Sequence, residues 1–292
     1  MNVFKIASND FDYILREIHV RLIKNKIIKY LNDSTDPEIV DISAFIKNHG
    51  ISVFPYKYIF EHNISDISVQ KDLNNELLYI ENDKGMNIYL SRKYKSYFRA
   101  RRYYNNILIE QDYRSPHCYT TELFKPKEND VILDIGGAEG FFTAEYIDVA
   151  KKAYIFECDN KWQEALNITF KEYSNKVEII PKYVTDNNID NNISLDEFIE
   201  LNNISSESLF IKIDAEGYEL KILNGLINSL DKLKNIKIVI CTYHTSDAEK
   251  SIQKYFDRFD VSFSNGYMLY YYDFNFGEPY LRKGVMRIIN SN

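Results

Sequence analysis

Five short apolar segments, separated by helical segments, constrain the fold of this chain most strongly. From residue 131 onwards they read VILDI, AYIFE, VEIIP, LFIKI and IKIVIC. Continuous apolar runs of this kind are typical of strands that are buried on both faces of a sheet. Their alternation with helices predicts an α/β fold, in which a mostly parallel sheet is covered by helices on both faces.

A glycine-rich stretch, VILDIGGAEGFF, contains the first of these segments and predicts a ligand site. The dinucleotide fingerprint GxGxxG does not fit, because ending it on Gly140 places Ile135 where the first glycine belongs. The pattern acid-x-Gly-x-x-x-Gly does fit, with Asp134, Gly136 and Gly140. The alternative is a tight turn between strand and helix that binds nothing.

The charge of this loop favours one class of cofactor. A pyrophosphate binds backbone N–H groups and is repelled by nearby anions, whereas S-adenosylmethionine brings a sulfonium and an ammonium group. The acidic loop therefore predicts S-adenosylmethionine, with S-adenosylhomocysteine as product, and disfavours a nicotinamide cofactor. The predicted cofactor-binding residues of the loop are Asp134, Gly136, Gly137, Ala138, Glu139 and Gly140.

Two residues after the second strand segment extend the predicted cofactor site. Glu157 ends the run YIFE, where a carboxylate can accept hydrogen bonds from both hydroxyls of a ribose. Trp162 is the only tryptophan and lies five residues further on. It either covers the adenosine or packs as a half-buried core residue.

A second acidic loop, LFIKIDAEGYELKILNG, predicts the catalytic residues. Asp214 follows a strand and should face the reacting group, since ligands bind at the carboxyl ends of such strands. The next strand brings His244 to the same edge, followed by Asp247. Methyl transfer to a hydroxyl needs alignment and removal of a proton, so we predict His244 as base and Asp214 as its orienting or ligand-facing acid.

Two alternatives remain for this second loop. Asp214, His244 and Asp247 could instead hold a divalent metal that acidifies the hydroxyl, although no metal is predicted from the spacing alone. His244 could also be an ordinary hydrogen-bonded histidine at the end of a strand.

These motifs resemble the FkbM-type S-adenosylmethionine-dependent methyltransferases, above all in IKIDAEGYELKILNG, together with the glycine loop and Glu157. LIEQDYRSPHCY, KWQEALNITF, ICTYHTSDAE and the late GYM and PYLRKGV segments resemble a bacterial subgroup often associated with surface-carbohydrate genes. The resemblance covers residues 108–292. Ala138 stands where a middle glycine is frequent, which is common in this family.

The resemblance implies a class I methyltransferase fold, a Rossmann-like sheet of seven strands with the last one antiparallel. It implies O-methylation of a sugar hydroxyl, in capsule or other surface-polysaccharide biosynthesis. It also draws attention to QDYRSPHCY, which would close over the cofactor. Gln111 and Ser115 thereby become candidate cofactor-binding residues, and His117 becomes a second candidate base.

We expect two domains: a mainly helical N-terminal module with a short hairpin at 1–107, and the S-adenosylmethionine-binding domain at 108–292. Helices are predicted over residues 10–31, with Asp10 as N-cap, and over PEIVDISAFIKNH. The basic run from residue 92 to 104 is either a solvated helix face or a site for the phosphate of a nucleotide-linked or phosphorylated sugar. The predicted substrate-binding residues are Arg99, Arg102, Glu216 and Arg282.

Composition limits the remaining functions. The formal net charge of −7 argues against a general nucleic-acid binder. The chain has no apolar run long enough for a membrane span and no signal-peptide core at its start, which predicts a cytoplasmic protein.

The N-terminal helices could form a homodimer interface or pack on the catalytic domain. A catalytically silent module that docks onto glycan-assembly enzymes is the alternative to an enzyme.

Overall fold

The computed structural model describes residues 23–270 and 278–290 and builds them around one large sheet. Strands are numbered in chain order over these residues. The large sheet contains β4 (Val131–Ile135), β5 (Lys152–Phe156), β6 (Val177–Ile180), β9 (Leu209–Ile213), β10 (Ile236–Cys241), β11 (Asp260–Phe263) and β14 (Val285–Ile289). The short strands are β1 (Gln70–Lys71), β2 (Leu78–Glu81), β3 (Asn87–Tyr89), β7 (Tyr183–Val184), β8 (Asn192–Ile193), β12 (Met268–Leu269) and β13 (Leu281–Arg282).

The sheet has the order β11-β14-β10-β9-β4-β5-β6. Neighbours from β10 through β6 pair in parallel. The late strand β14 lies between β10 and β11 and runs antiparallel to both. This arrangement is that of a class I methyltransferase, so the predicted Rossmann-like α/β fold with an antiparallel last strand is confirmed.

The central strands are apolar on both sides because both faces of the sheet are covered. All five residues of β4 and of β9 are buried. Successive side chains of a strand point to opposite faces. Ile132 and Phe210 accordingly belong to one hydrophobic core, whereas Leu133 and Ile211 belong to the other. The continuous apolar pattern of these segments therefore reflects burial on two faces rather than one.

Helices flank the sheet and begin at residues suited to that position. Asp159 caps the helix Asn160–Thr169 and Ser194 caps the helix Leu195–Leu201, each accepting a backbone N–H of the first turn. Helices of the described residues also span Pro37–His49, Tyr97–Glu110, Phe141–Tyr146, Glu219–Asn224, Ile227–Leu230 and Ala248–Gln253, with single 3₁₀ turns at Lys57–Phe60, Ile64–Asp66, Lys171–Tyr173 and Lys254–Phe256. None of the helices in the described ranges is long and apolar enough to cross a membrane.

The region before the sheet contains the expected helix, hairpin and basic helix. The helix Pro37–His49 is capped by Asp36 and ends at Gly50, whose φ is 93°. Strands β2 and β3 pair antiparallel, which confirms the predicted hairpin. Residues 23–32 are helical, but the predicted cap at Asp10 and the beginning of that helix lie outside the described residues.

This region and the sheet share one hydrophobic core. Ile80 and Ile88 of the hairpin, and Tyr104 of the helix Tyr97–Glu110, pack in the same cluster as Ile132 and Ile155 of the sheet. The backbone N–H of Tyr89 also donates a hydrogen bond to Thr169 Oγ1, at 2.9 Å. The basic helix is thereby fixed against the sheet, at the edge where the strands end.

The last strand also fixes the segment before the sheet. Arg287 of β14 donates hydrogen bonds to the carbonyls of Cys118 and Tyr119, at 2.6 and 3.1 Å. A Cβ atom on Gly284 would lie 1.9 Å from the carbonyl oxygen of Pro116, so only glycine fits there. The segment from residue 116 to 119 is consequently held by the far end of the chain.

Candidate active site

The main cavity lies at the carboxyl ends of the parallel strands and has a volume of about 640 Å³. From β4 the chain builds the sheet in one direction, and from β9 it builds it in the other. Ligands of open α/β sheets bind at such a switch point. The loops after β4 and β9, the helix Tyr97–Glu110 and residues 156–162 line the cavity. Its size is that of an ordinary small-molecule site.

The glycine loop after β4 makes a tight turn that touches the second acidic loop. Gly136 has φ of 75°, and its N–H donates to the carbonyl of Phe156 at 2.9 Å. A Cβ atom on Gly136 would lie 1.9 Å from the carbonyl oxygen of Asp214. Gly136 is therefore required by the close approach of the two loops. Gly137, Ala138 and Glu139 line the cavity as well.

Asp134 lies beneath this loop and not in the cavity, which differs from the expectation that its charge faces the ligand. Asp134 and Lys212 are register partners on β4 and β9, and Lys212 Nζ lies 3.1 Å from Asp134 Oδ1. Thr143 Oγ1 donates to the other carboxylate oxygen of Asp134, at 2.8 Å. Both charges are buried. The charge of Asp134 is therefore compensated by Lys212, and Asp134 supports the glycine loop.

The negative charge that does face the cavity comes from other side chains. Glu139 lines the cavity and accepts a hydrogen bond from the phenol of Tyr103. Burial raises the pKa of Glu139, partly offset by that hydrogen bond. Asp214 and Glu216 line the cavity on the side of β9. The acidic side chains in the cavity wall thus include Glu139, Asp214 and Glu216, whereas Asp134 lies outside it.

Glu157 and Trp162 both line the cavity, as the sequence suggested for a nucleoside site. Glu157 is buried, and its two carboxylate oxygens accept the N–H groups of Ala138 at 2.9 Å and Asp159 at 2.7 Å. An ionised carboxylate has about four acceptor positions, so two remain for ligand hydroxyls. Trp162 is buried against Tyr94 and Tyr103, so it serves the core and the cavity wall together.

Asp214 is the centre of the polar groups at the end of β9. It accepts a hydrogen bond from Tyr119 Oη at 2.7 Å. His117 Nε2 lies 3.6 Å from one of its oxygens, and His244 Nε2 lies 3.5 Å from the other. Burial alone would raise the pKa of Asp214, but the nearby charges of His244, His117 and Lys212 outweigh it and lower the pKa to about 2. Asp214 is therefore ionised at neutral pH.

His244 is oriented by Glu219, which the sequence analysis did not identify. His244 Nδ1 donates to Glu219 Oε1 at 2.8 Å, and the same oxygen accepts the N–H groups of Ala215 and Gly217. This leaves Nε2 on the side of Asp214 and Glu216, 3.5 and 3.8 Å away. Burial would lower the pKa of His244, but the hydrogen bond to Glu219 and the surrounding carboxylates raise it. His244 is therefore a stronger base than an ordinary histidine, and it lies directly behind the cavity wall.

His117, the second candidate base, is buried and more weakly basic. Burial lowers its pKa to about 4, so it is neutral at pH 7. Its Nε2 lies 3.1 Å from Tyr243 Oη, and the backbone N–H of His117 donates to Ser115 Oγ at 3.1 Å. Ser115 is buried away from the cavity, whereas Gln111 lines it and accepts the N–H of Tyr119 at 3.2 Å.

The residues predicted to bind substrate lie in three different environments. Arg99 and Arg102 are exposed on the helix Tyr97–Glu110 and do not line the cavity. Glu216 lines it. Arg282 is buried and donates to the carbonyl of Tyr243 at 2.7 Å. Arg282 therefore supports the backbone beside His244, which was not foreseen from its place in a late loop.

Among the described residues, two groups of side chains have the spacing of a metal site. Asp214, Glu219 and His244 place one ligand atom each within 4.8 Å of one another, as do His117, Asp214 and Cys241. Asp247, which the sequence suggested as a third ligand, instead accepts hydrogen bonds from Thr245 and Ser251. The buried side chain of Glu219 occupies the position that was expected for Asp247.

Three residues of the site were not predicted, and two of them had a weak signal in the sequence. Lys212 is a lysine inside an otherwise apolar strand segment, which is unusual unless the charge is paired. Glu219 is a third acid within six residues of Asp214. Glu110 had no signal, because its place in the cavity depends on how the N-terminal region packs.

The sequence of this chain matches a known protein family. The family model described as the methyltransferase FkbM domain matches residues 85–270, which is more than half of the chain. The chain belongs to the FkbM methyltransferase family. Among curated proteins, none matches the sequence significantly.

Solved structures resemble this chain only distantly. An rRNA methylase from Streptococcus thermophilus has 16% identity and a TM-score of 0.37, with 57% of this chain and 89% of that chain covered. M. capricolum TrmK in complex with S-adenosyl-homocysteine has 13% identity and a TM-score of 0.36, covering 57% and 65%. The precorrin 8w decarboxylase of Methanobacterium thermoautotrophicum has 16% identity and a TM-score of 0.35, covering 57% and 84%. Similarities of this size identify no substrate.

The protein is a methyltransferase, and its cofactor is S-adenosylmethionine, as the acidic glycine loop predicted. The cavity fits this cofactor. Glu157 keeps acceptor capacity for the ribose, while Glu139, Asp214 and Glu216 line a space suited to a cationic ligand. When bound, S-adenosylmethionine supplies a methyl group on a sulfonium.

Proposed function

We propose that this FkbM-family protein transfers the methyl group to a hydroxyl oxygen of a sugar, in capsule or other surface-polysaccharide biosynthesis. The observation that carries the proposal is the placement of His244, fixed by Glu219 with Nε2 facing Asp214. Transfer to an alcohol releases a proton, and a base with raised pKa behind an ionised carboxylate suits that demand. The carbohydrate acceptor is supported by the resemblance of residues 108–119 and 240–249 to the surface-carbohydrate subgroup.

Each residue has a separate role in this proposal. Asp214 lines the cavity and accepts a hydrogen bond from the acceptor hydroxyl, and Tyr119 holds it in place. S-adenosylmethionine would supply the methyl group to the acceptor oxygen and leave as the thioether, and the hydroxyl proton would pass by way of Asp214 to His244. Glu219 keeps His244 in the right orientation and stabilises the resulting imidazolium. Most of the acceleration comes from alignment of the oxygen with the methyl group.

The N-terminal region has a place on the acceptor side. In this proposal, residues 1–107 form an N-terminal module that packs on the S-adenosylmethionine-binding domain at 108–292, with which it shares one hydrophobic core. Arg99 and Arg102 are exposed, one helical turn before Tyr103 and Asn106, which line the cavity. Arginine binds phosphate through two parallel hydrogen bonds, so these residues suit a nucleotide-linked or phosphorylated sugar at the rim. The net charge of −7 supports a small acceptor over a nucleic acid.

The test compares methyl transfer by His244→Ala, Asp214→Asn and His49→Ala with that of the wild type, using a panel of sugars and nucleotide-sugars. Loss of a general base lowers turnover by about 10² to 10⁴-fold. We expect this loss for the first two variants, with cofactor binding retained. His49 is exposed at the end of the helix Pro37–His49 and serves as the control. Full activity of His244→Ala would eliminate it as base and favour His117.

The pH dependence of the same reaction separates a base from a structural histidine. Because His244 must be neutral to accept a proton and its pKa is raised, the rising limb of kcat should lie above pH 6.5. Glu219→Gln removes one negative charge and should move that limb to lower pH. An unmoved limb would assign the titration to another group. Cofactor binding without transfer to any acceptor would favour the silent module.

A further inference from the structure

A carboxylate that the proposed reaction does not use lies in the wall of the cavity. Glu110 is the last residue of the helix Tyr97–Glu110, and Tyr103, Asn106 and Ile107 of this helix line the same cavity. Within the described residues, the Glu110 carboxylate has no hydrogen-bond or ion-pair partner. It therefore keeps its full capacity to accept hydrogen bonds or to face a positive charge.

The other carboxylates of the cavity are already engaged. Glu157 accepts two backbone N–H groups, and Glu139 accepts the phenol of Tyr103. Asp214 accepts Tyr119 Oη and lies between two histidines. Glu110 differs from all three, because no hydrogen-bond donor among the described residues reaches its carboxylate.

Among the described residues, the lysines that line the cavity are Lys161, Lys182 and Lys212, and none of them pairs with Glu110. Lys212, the buried lysine of the cavity, already pairs with Asp134 and donates to the carbonyl of Gly136. Lys161 pairs with Asp159. Burial, and then the charges of Asp214, Glu139 and Glu216, raise the pKa of Glu110 to about 8. A cationic ligand would relieve this repulsion.

We propose that Glu110 recognises the positive charge of the cofactor, so that the cavity binds the sulfonium S-adenosylmethionine more tightly than the neutral thioether S-adenosylhomocysteine. After transfer the sulfur is uncharged, and the attraction to Glu110 and its neighbouring carboxylates is lost. This difference favours release of product over release of cofactor. The inference depends on the cofactor only, and it stands or falls independently of the acceptor and the base.

Calorimetric titration of the whole protein tests this directly. The probes are S-adenosylmethionine, S-adenosylhomocysteine and sinefungin, whose amine carries a charge near the position of the sulfonium. At pH 9, where Glu110 is ionised, we expect Glu110→Gln to lower the affinity for the two charged ligands by about tenfold, as for loss of a charged contact. The affinity for S-adenosylhomocysteine should stay within about twofold, since an uncharged thioether gains little from a carboxylate.

The pH dependence gives a second readout. Between pH 7 and pH 9 Glu110 loses its proton, since its pKa is about 8, and the preference of the wild type for S-adenosylmethionine should rise. The amino group common to both ligands cancels in the ratio of affinities. Glu110→Gln should show a flatter ratio. The titratable groups of the described residues that interact electrostatically with Glu110 are Glu139, Asp214, Glu216, Tyr58, Tyr103 and Tyr243.

Two further variants serve as controls. Glu110→Asp keeps the charge and should retain most of the preference, which separates a charge effect from a folding defect. Glu122→Gln removes an exposed carboxylate outside the cavity and should change no affinity. Equal weakening of S-adenosylmethionine and S-adenosylhomocysteine in Glu110→Gln would overturn the proposal, as would an unchanged ratio. Failure of the wild type to bind either ligand would overturn the cofactor assignment with it.

Discussion

Lys212 connects the two halves of the active site through a single buried ammonium group. Its Nζ donates to the carbonyls of Ile135 and Gly136, at 3.3 and 2.6 Å, and lies 3.1 Å from Asp134 Oδ1. Burial would lower the pKa of Lys212, but the charges of Asp134 and Asp214 outweigh it and raise it. The lysine is therefore charged, and it holds the glycine loop to the strand that carries Asp214.

Replacing Lys212 should destabilise the protein strongly. Lys212→Met leaves Asp134 as an unpaired buried charge, and breaking a buried pair in this way costs about 3–5 kcal/mol. Urea unfolding would measure the change in the free energy of unfolding. The double variant Asp134→Asn, Lys212→Met should recover part of the loss, because no buried charge remains.

An exposed pair provides the control for this experiment. Lys151→Met removes the partner of Glu207 on the surface and should cost about 0–1 kcal/mol. A loss of similar size for Lys151→Met and Lys212→Met would show that the Asp134–Lys212 pair has no special weight. In that case the loop would be held mainly by its own backbone hydrogen bonds.

At the scale of elements, the active site depends on contact between two loops that follow neighbouring strands. Asp214 N–H donates to the carbonyl of Ile135 at 3.1 Å, and Gly136 lies directly against the carbonyl of Asp214. Strands β4 and β9 pair over five residues up to this point. The position of the Asp214 carboxylate is therefore fixed by the same turn that forms the glycine loop.

Gly136→Ala should consequently disrupt both loops at once. Its Cβ would lie 1.9 Å from the carbonyl oxygen of Asp214, and φ is 75°. Gly85 is a matched control, with φ of 77° and no atom within 4 Å of an added Cβ. Gly85→Ala should cost only the left-handed backbone, about 1–2 kcal/mol.

Thermal melting and calorimetric binding of S-adenosylmethionine would compare the two glycine variants. We expect Gly136→Ala to lose cofactor binding and Gly85→Ala to keep it. Normal binding by Gly136→Ala would mean that the loops can separate without harm, against the geometry described above.

Local sequence patterns predicted the central strands well and other elements poorly, for a physical reason. The segments VILDI, LFIKI and IKIVIC coincide with β4, β9 and β10, because strands buried on both faces need continuous apolar side chains. Strand β11 alternates between exposed and half-buried residues and has no such signal. The order of the sheet and the pairing of β14 between β10 and β11 depend on distant parts of the chain.

The same distinction applies to the site. Asp214 and His244 were predictable because each follows a parallel strand, and such strands end at one edge. The orienting role of Glu219 was not predictable, since it depends on a helix turning the side chain back towards His244. Glu110 enters the cavity only through packing between the N-terminal region and the sheet.

At the scale of the whole molecule, a ligand that binds only the folded state should raise the melting temperature. A ligand at about 100 times its Kd stabilises the folded state by about 2.7 kcal/mol. This raises the melting temperature by a few degrees in a chain of this size. We expect S-adenosylmethionine and S-adenosylhomocysteine to raise it, and NADH to leave it unchanged. A shift with NADH alone would contradict the cofactor assignment.

The insertion of β14 between β10 and β11 has a consequence for synthesis on the ribosome. In the large sheet β11 pairs only with β14, and Arg287 of β14 holds the segment that carries Tyr119. While residues 285–289 are still inside the ribosomal exit tunnel, the sheet lacks β14 between β10 and β11. The cavity wall that carries Tyr119 then also lacks its hydrogen bonds from Arg287. We therefore expect the growing polypeptide to bind the cofactor only after those residues have left the exit tunnel.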